Sequence, residues 1–255
     1  MSDWWVTVLV GVFGLCLGSF ANVLIYRLNA DRAPKFWQGR SLCPKCKHGL
    51  SWADNIPLLS FVVLRGKCRY CKKSISWQYP VVELTMAVAF VCGWGLTSQL
   101  GVLGRLGVLG IEVCLIVIFF SDLKYQLIPD EMIATGAAIR AISHISNIRG
   151  LGWDIVTGLG TAVVFVLVFF LTKQKGLGFG DVKLAFLMGL LLGWPKILVA
   201  LWSAFILGGG VAVILLLLKR TTFSARIALG PFLVIGVAVA ALWSERILAL
   251  ALLSY

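Results

Sequence analysis

Residues 4–28 read WWVTVLVGVFGLCLGSFANVLIYRL, with no charged side chain before Arg27. A run of that length is what an α-helix needs to cross a hydrocarbon core about 30 Å thick. It is too long for the core of a secretory signal, and no small-residue cleavage site follows it, so it is expected to stay as a helix. Similar runs recur along the chain, near 80–98, 105–121, 127–145, 153–172, 182–193, 196–218 and 228–250. Hydrophobic residues make up 60% of the 255 and charged residues only 13%, and mean hydropathy is +0.94. Soluble domains have about 45–50% apolar and about 25% charged residues. Lipid is therefore the solvent. The expected fold is an all-α polytopic membrane protein with about eight transmembrane helices.

The net charge of +12 invites a nucleic-acid reading, but its distribution argues for topology instead. Of 23 Lys and Arg residues, 11 lie between Arg27 and Lys73. When the spans alternate sides, 18 fall on one side: those 11 with Lys124, Lys173, Lys175, Lys183, Lys219, Arg220 and Arg226. Five fall on the other, Arg105, Arg140, Arg149, Lys196 and Arg246. Basic residues favour the cytoplasmic side of short loops, which puts both termini outside. Membrane lipid is an expected partner through attraction of the basic side to anionic headgroups, and nucleic acid is not.

Three parts follow. Residues 1–28 form a first transmembrane helix, 29–79 a small cytoplasmic module, and 80–255 a transmembrane bundle. The module holds four of the seven cysteines and the local turn formers Pro34, Pro44, Gly49, Pro57 and Gly66. About 50 residues is too few for a self-sufficient core, so a metal or disulfides must help. Cys43-Pro-Lys-Cys46 and Cys68-Arg-Tyr-Cys71 each present two thiols on a tight turn, and two such knuckles complete a tetrahedral four-sulfur site for Zn²⁺. Lys45, Lys47, Lys67, Arg69 and Lys72 help keep the thiolates charged. Two disulfides are the rival, disfavoured in a reducing cytosol; an iron–sulfur cluster lacks any redox partner motif. Four protein ligands leave no open position, so the ion would be structural. Cys16, Cys92 and Cys114, in apolar spans, read as packing residues.

Ionisable groups at membrane depth are costly, and each is a candidate for function: Glu83, Glu112, Asp122, Asp130, Glu131, His144, Asp154, Asp181 and Glu245. Asp122 closes the third span in Phe119-Phe120-Ser121-Asp122, and Asp181 opens the sixth in Gly178-Phe179-Gly180-Asp181. Charge topology puts both at the cytoplasmic boundary. If two carboxylates approach, they cannot both ionise cheaply; one keeps a proton while the other stays charged. That supplies a base to activate water and an acid to protonate a leaving amine. Plainer readings remain open: Asp181 as a helix cap, Asp122 as a boundary charge, Asp130 after Pro129 as a first-turn acid. Two other classes stay open as well: a transporter using Asp122, Asp181 and Glu112 as a proton or cation relay, and a non-catalytic assembly factor docking a partner on its zinc module.

These residues stand within longer motifs. In order they are Gly18-Ser-Phe-Ala-Asn22-Val-Leu-Ile-Tyr-Arg27, Cys43-Pro-x-Cys46, Asp54-Asn55-Ile-Pro57 and Leu64-Arg65-Gly-Lys-Cys68-Arg-Tyr-Cys71. Tyr79-Pro-Val-Val-Glu83, Asp122 with Ile128-Pro-Asp130, Gly178-Phe-Gly-Asp181-Val-Lys183 and Gly230-Pro-Phe232 follow. Together they make the chain resemble, over nearly its full length, the bacterial type IV prepilin peptidases, bifunctional leader peptidases and N-methyltransferases. The resemblance implies catalytic roles for Asp122 and Asp181, with Asp130 in support. It implies cleavage of the basic leader of prepilins or pseudopilins on the cytoplasmic side, then methylation of the new amino group from S-adenosylmethionine. The zinc module is implicated in that second activity. Candidate cofactor-binding positions by the same resemblance are Asn22, Arg27, Asp54, Asn55, Arg65 and Glu83, whose plainer role is to hold the zinc module against the flanking helices. No Gly-x-Gly-x-x-Gly follows a strand, so any S-adenosylmethionine site is unconventional. Lys124-Tyr125 departs from the acidic residue and histidine expected there in many relatives, which bears on tuning of the site rather than on the reaction.

Overall fold

A computed structural model describes residues 4–29, 41–144, 148–172, 177–218 and 228–253. Pro34, Arg32, Lys35, Arg40, Lys173, Lys175, Gly176, Lys219, Arg220 and Arg226 lie outside the described residues. The described helices are α1 (Trp4–Arg27), α2 (Leu59–Val63), α3 (Gln78–Leu96), α4 (Val102–Tyr125), α5 (Asp130–Ser143), α6 (Ile148–Leu171), α7 (Phe179–Leu192), α8 (Lys196–Leu217) and α9 (Gly230–Leu253). Each of the eight apolar runs has become a helix. Among the described residues five are long and apolar enough to cross a membrane: α1, α3, α4, α6 and α8. The fourth and sixth runs give the two shortest of these eight helices. α5 and α7 have 14 residues each, about 21 Å of helix, which falls short of a hydrocarbon core about 30 Å thick. Pro129 stands at the head of α5 and Gly193, at φ +66°, ends α7.

The chain divides into two compact units, Met1–Phe120 and Ser121–Tyr255. In the first, α1 and α3 pack antiparallel through glycine. A Cβ on Gly18 would lie 2.6 Å from Glu83 Cα, and one on Gly14 2.8 Å from Ala87 Cα. Lipid tails are as apolar as leucine, so helices associate in a bilayer through such close backbone approach and through hydrogen bonds. Ala21, Ile25, Val82, Met86 and Phe90 fill the rest of the interface and are fully buried.

In the second unit α7 is the centre. Val182, Leu184, Ala185, Leu187, Met188 and Leu190 are buried around it, as expected of a helix that is apolar on all sides. α5, α6, α8 and α9 pack against it. The α6 contact is again glycine on glycine, with a Cβ on Gly189 placed 2.7 Å from Gly158 Cα. On α9, a Cβ at Gly236 would run into the Ala200 carbonyl of α8.

Between α1 and α3 lie two copies of one backbone knuckle, offset by 25 residues. The Cys43 N–H donates to His48 O and the Lys47 N–H to Cys43 O. The Cys68 N–H donates to Lys73 O and the Lys72 N–H to Cys68 O in the same way. Antiparallel bridges Leu42–Gly49 and Lys67–Ser74 close them, and Lys47 and Lys72 take matching φ values of 57° and 58°. The repeat shows in sequence only as two CxxC pairs.

Candidate functional site

Asp122 and Asp181 both belong to the second unit and both are buried, 5% and 8% exposed. An ordinary boundary charge would be solvated, so neither fits that plainer description. Asp181 does reach back within its first turn, accepting from the Gly178 N–H at 3.0 Å. Asp122 Oδ2 accepts from the Gly230 N–H at 2.9 Å, a contact that spans 108 residues of sequence. Each carboxylate is thus oriented through Oδ2 by one backbone donor. The two lie in one compact unit, and two buried carboxylates that approach one another favour sharing one proton between them.

Asp130 is placed differently. Its carboxylate is 69% exposed and takes both oxygens to Lys183 Nζ, at 2.7 and 2.8 Å. The bond ties the first turn of α5 to the first turn of α7. Ile128 packs beside it, 3.2 Å from where a Cβ on Gly180 would be. Ile128-Pro129-Asp130 therefore braces the α7 turn that carries Asp181, while Asp130 takes no part in the pair. Lys124 is exposed, with its ammonium 5.0 Å from the Tyr125 ring centre.

One residue with direct bearing on these carboxylates lacked a role in the sequence reading. Gly230 supplies the N–H to Asp122, and a Cβ there would lie 2.6 Å from Asp122 Oδ2. Gly178 plays the equivalent part for Asp181. The signal was present as Gly230-Pro-Phe232, but nothing local connects that stretch with α4.

At the far end of α7 a separate polar cluster ties three helices. Arg140 donates to Asp154 Oδ2 at 2.8 Å and to Leu190 O at 3.2 Å, and His144 Nε2 stands 3.9 Å from the same carboxylate. Glu112 lies in the first unit, its carboxylate pressed on Gly93.

In the first unit the four Sγ atoms of Cys43, Cys46, Cys68 and Cys71 lie within 4.8 Å of one another. A tetrahedral ion with metal–sulfur bonds of about 2.3 Å separates its ligands by about 3.8 Å, so this cluster can hold a metal ion with little adjustment. Burial disfavours the Cys43 thiolate, but the Cys46 and Lys45 N–H groups and the thiols of Cys46 and Cys68 bring it down to about 7. Cys46 has the His48 N–H in its favour, yet burial and the neighbouring Cys43 and Cys71 push it up to about 11. Four thiolates this close repel, and a divalent cation is what lets all four ionise. Cys114 is buried, whereas Cys16 and Cys92 face outward.

Of the other predicted positions, three meet at one joint. Asn22 donates to Gly18 O and to Tyr79 O, both at 3.2 Å. Glu83 Oε2 accepts from the Leu58 N–H at 2.8 Å. Asn55 O faces the Ser19 hydroxyl at 3.5 Å. Asp54 is one residue away but turned elsewhere, accepting from Arg69 Nε at 2.7 Å and from both the N–H and hydroxyl of Ser51. Burial works against its charge, but those bonds and the Arg69 guanidinium hold its carboxyl below the usual range. Arg65 lies beyond α2 at φ 52°, and Arg27 ends α1. The bonds of Asn22, Glu83 and Asn55 fasten the loop before α2 to α1 and α3. One acceptor is left over at this joint: Asn22 Oδ1 is buried with no donor among the described residues, and an amino or ammonium group is the kind of partner it lacks.

A model of the bacterial peptidase A24 N-terminal domain matches residues 12–95, and one of the type IV leader peptidase family matches 109–213. The prepilin leader peptidase/N-methyltransferase of Aeromonas hydrophila is 30% identical, the alignment covering 94% of this chain and 91% of the relative. Its namesake in Legionella pneumophila is 32% identical, over 96% and 94% of the two chains. That of Pseudomonas aeruginosa is 30% identical, over 92% and 90%. No solved structure matches the chain. With multiple membrane-length helices, a thiol cluster and paired aspartates in a chain aligned nearly end to end with these relatives, the protein belongs to the type IV leader peptidase family.

Proposed function

We propose that this protein is a membrane aspartyl endopeptidase that removes the basic leader of type IV prepilins or pseudopilins, with Asp122 and Asp181 as its catalytic pair. The observation that carries the reading is the burial of both carboxylates in one unit, each pinned through Oδ2 by a backbone N–H. With one proton shared, the ionised member takes a proton from water as the water oxygen attacks the scissile carbonyl. The protonated member gives its proton to the departing amine as the C–N bond breaks. The inner membrane is the site of action. The 18 to 5 division of basic residues supports a cytoplasmic position for the aspartates and external termini.

The same chain methylates the new amino terminus. The four cysteines would hold Zn²⁺ as a structural ion, closing both knuckles without an open coordination position. S-Adenosylmethionine supplies an electrophilic methyl group on its sulfonium. Asn22 and Glu83 are the residues placed to orient an amine near the joint, Asn22 through its free Oδ1, with Asp54, Asn55, Arg65 and Arg27 shaping the loop and helix end around it. The 29–79 segment then serves methylation and the 80–255 bundle serves cleavage.

The test is incubation of the purified full-length protein with a prepilin and inspection of the products by mass. Asp122→Asn and Asp181→Asn should each stop leader removal while the protein still inserts. Leader removal retained by either variant would sink the assignment. Methylation of an already cleaved substrate should survive both substitutions.

A further inference from the structure

The joint between α1, α3 and the loop before α2 sets a depth. Gly18 faces Glu83, Gly14 faces Ala87 and Asn22 bonds Tyr79, so the antiparallel register is continuous. α3 has 19 residues, roughly 28 Å of helix, nearly the thickness of the hydrocarbon core. Its head at Gln78 therefore stands at the membrane boundary, and Glu83 lies about 7 Å further in. The Leu58 N–H is bonded to the Glu83 carboxylate, and Asn55 O faces Ser19, which is level with residues 82 and 83. The segment leading into α2 has come down alongside the spans, past their ends.

What α2 presents outward fits that depth. Leu59, Val62 and Val63 are 57%, 69% and 67% exposed, and Trp52, in the turn packed on α2, is 81% exposed. Phe61 turns the other way, stacking on Trp77 with ring centres 5.1 Å apart, and Trp77 itself is exposed at the head of α3. Trp is favoured at the headgroup level of a bilayer. Arg65 and Lys67, both exposed, follow α2 directly, where cations would meet phosphates. At the same level the outward faces of α1 and α3 carry exposed Phe20, Val81 and Leu84.

We propose that α2 with Trp52 and Trp77 is an interfacial anchor seated in the leaflet on the module's side, its partner being phospholipid, with Arg65 and Lys67 at the headgroups. The anchor fixes the depth of the cysteine knuckles and of the Asn22–Glu83 joint. It rests on the spanning helices alone and stands whether or not the peptidase assignment does.

The test uses the full-length protein in liposomes of phosphatidylethanolamine and phosphatidylglycerol. Val62→p-benzoylphenylalanine should, on irradiation, gain the mass of a phospholipid, whereas Lys45→p-benzoylphenylalanine on the knuckle should not. An adduct at position 62 only to protein, or no adduct there, would overturn the anchor, as would equal lipid labelling at both positions. Quenching by lipids brominated near the carbonyl region provides a check on native side chains. Trp52→Phe should lower the quenchable fraction of the fluorescence, and an unchanged fraction would count against the proposal.

Discussion

Gly230 acts through what it lacks. Its N–H reaches Asp122 because no Cβ stands 2.6 Å from the carboxylate oxygen. Gly230→Ala should push Asp122 aside and cut the cleavage rate by about 100-fold, since small misplacements of a catalytic group carry costs of that size, with little change in melting temperature. Measurement of kcat on a prepilin decides it; undiminished cleavage would show that the Gly230 contact is dispensable. Asp130 offers a contrast. Its pair with Lys183 is exposed on the Asp130 side, and such pairs contribute about 0–1 kcal/mol. Asp130→Asn should slow cleavage by no more than about 10-fold, against roughly 100- to 10,000-fold for Asp122→Asn. If the two variants fell equally, Asp130 would belong to the reacting pair. The two contending acids looked alike as letters near a span end. Burial separates them.

Among elements, the α1–α3 contact is where the first unit is most sensitive. Gly18→Leu would insert a side chain where Glu83 Cα stands 2.6 Å from a Cβ, prying the helices apart and breaking the bonds of Asn22 to Tyr79 and of Glu83 to Leu58. Methylation should be lost while cleavage, which we assign to the second unit, is kept at a substantial fraction; a matched pair of assays on one preparation checks it. Equal loss of both activities would mean that the units do not act separately. The eight helices were readable from hydropathy because helices set among lipid or other apolar helices are apolar along their length, the spanning ones over about 20 residues. Their partners were not, since glycine pairs such as Gly14 with Ala87 or Gly158 with Gly189 follow from packing geometry rather than from either strand of sequence alone.

For the whole molecule, the two compact units suggest two separable liabilities. A strong chelator should release zinc, detectable by elemental analysis, and abolish methylation while leaving leader removal. Acidification should act on the same module in two stages. Metal binding requires thiolates, so protons compete with the ion first, while Cys43 still titrates near 7 in the metal-free cluster. Asp54 comes later. Its carboxyl is held below the usual value of 3.8, so its contribution is complete above that pH and is lost only as pH falls through the lower, folded value. Metal loss between about pH 5 and 6 in Asp54→Asn should therefore follow the wild-type profile; an earlier loss would show that Asp54 guards the knuckles near neutrality.

Sequence by itself determined the solvent, the number and positions of the apolar helices, the cysteine quartet and the two aspartates within the family motifs. These are local properties: hydropathy over one span, spacing within one knuckle, a motif of a few residues. The tertiary structure alone decided that Asp122 and Asp181 are both buried in one unit, that Gly230 holds one of them from 108 residues away, that Asp130 turns outward, and that the loop before α2 descends beside α1 and α3. Such facts depend on which helix faces meet and at what register. No stretch of chain contains that information, because close packing and hydrogen bonding across a bilayer are settled between helices rather than within them.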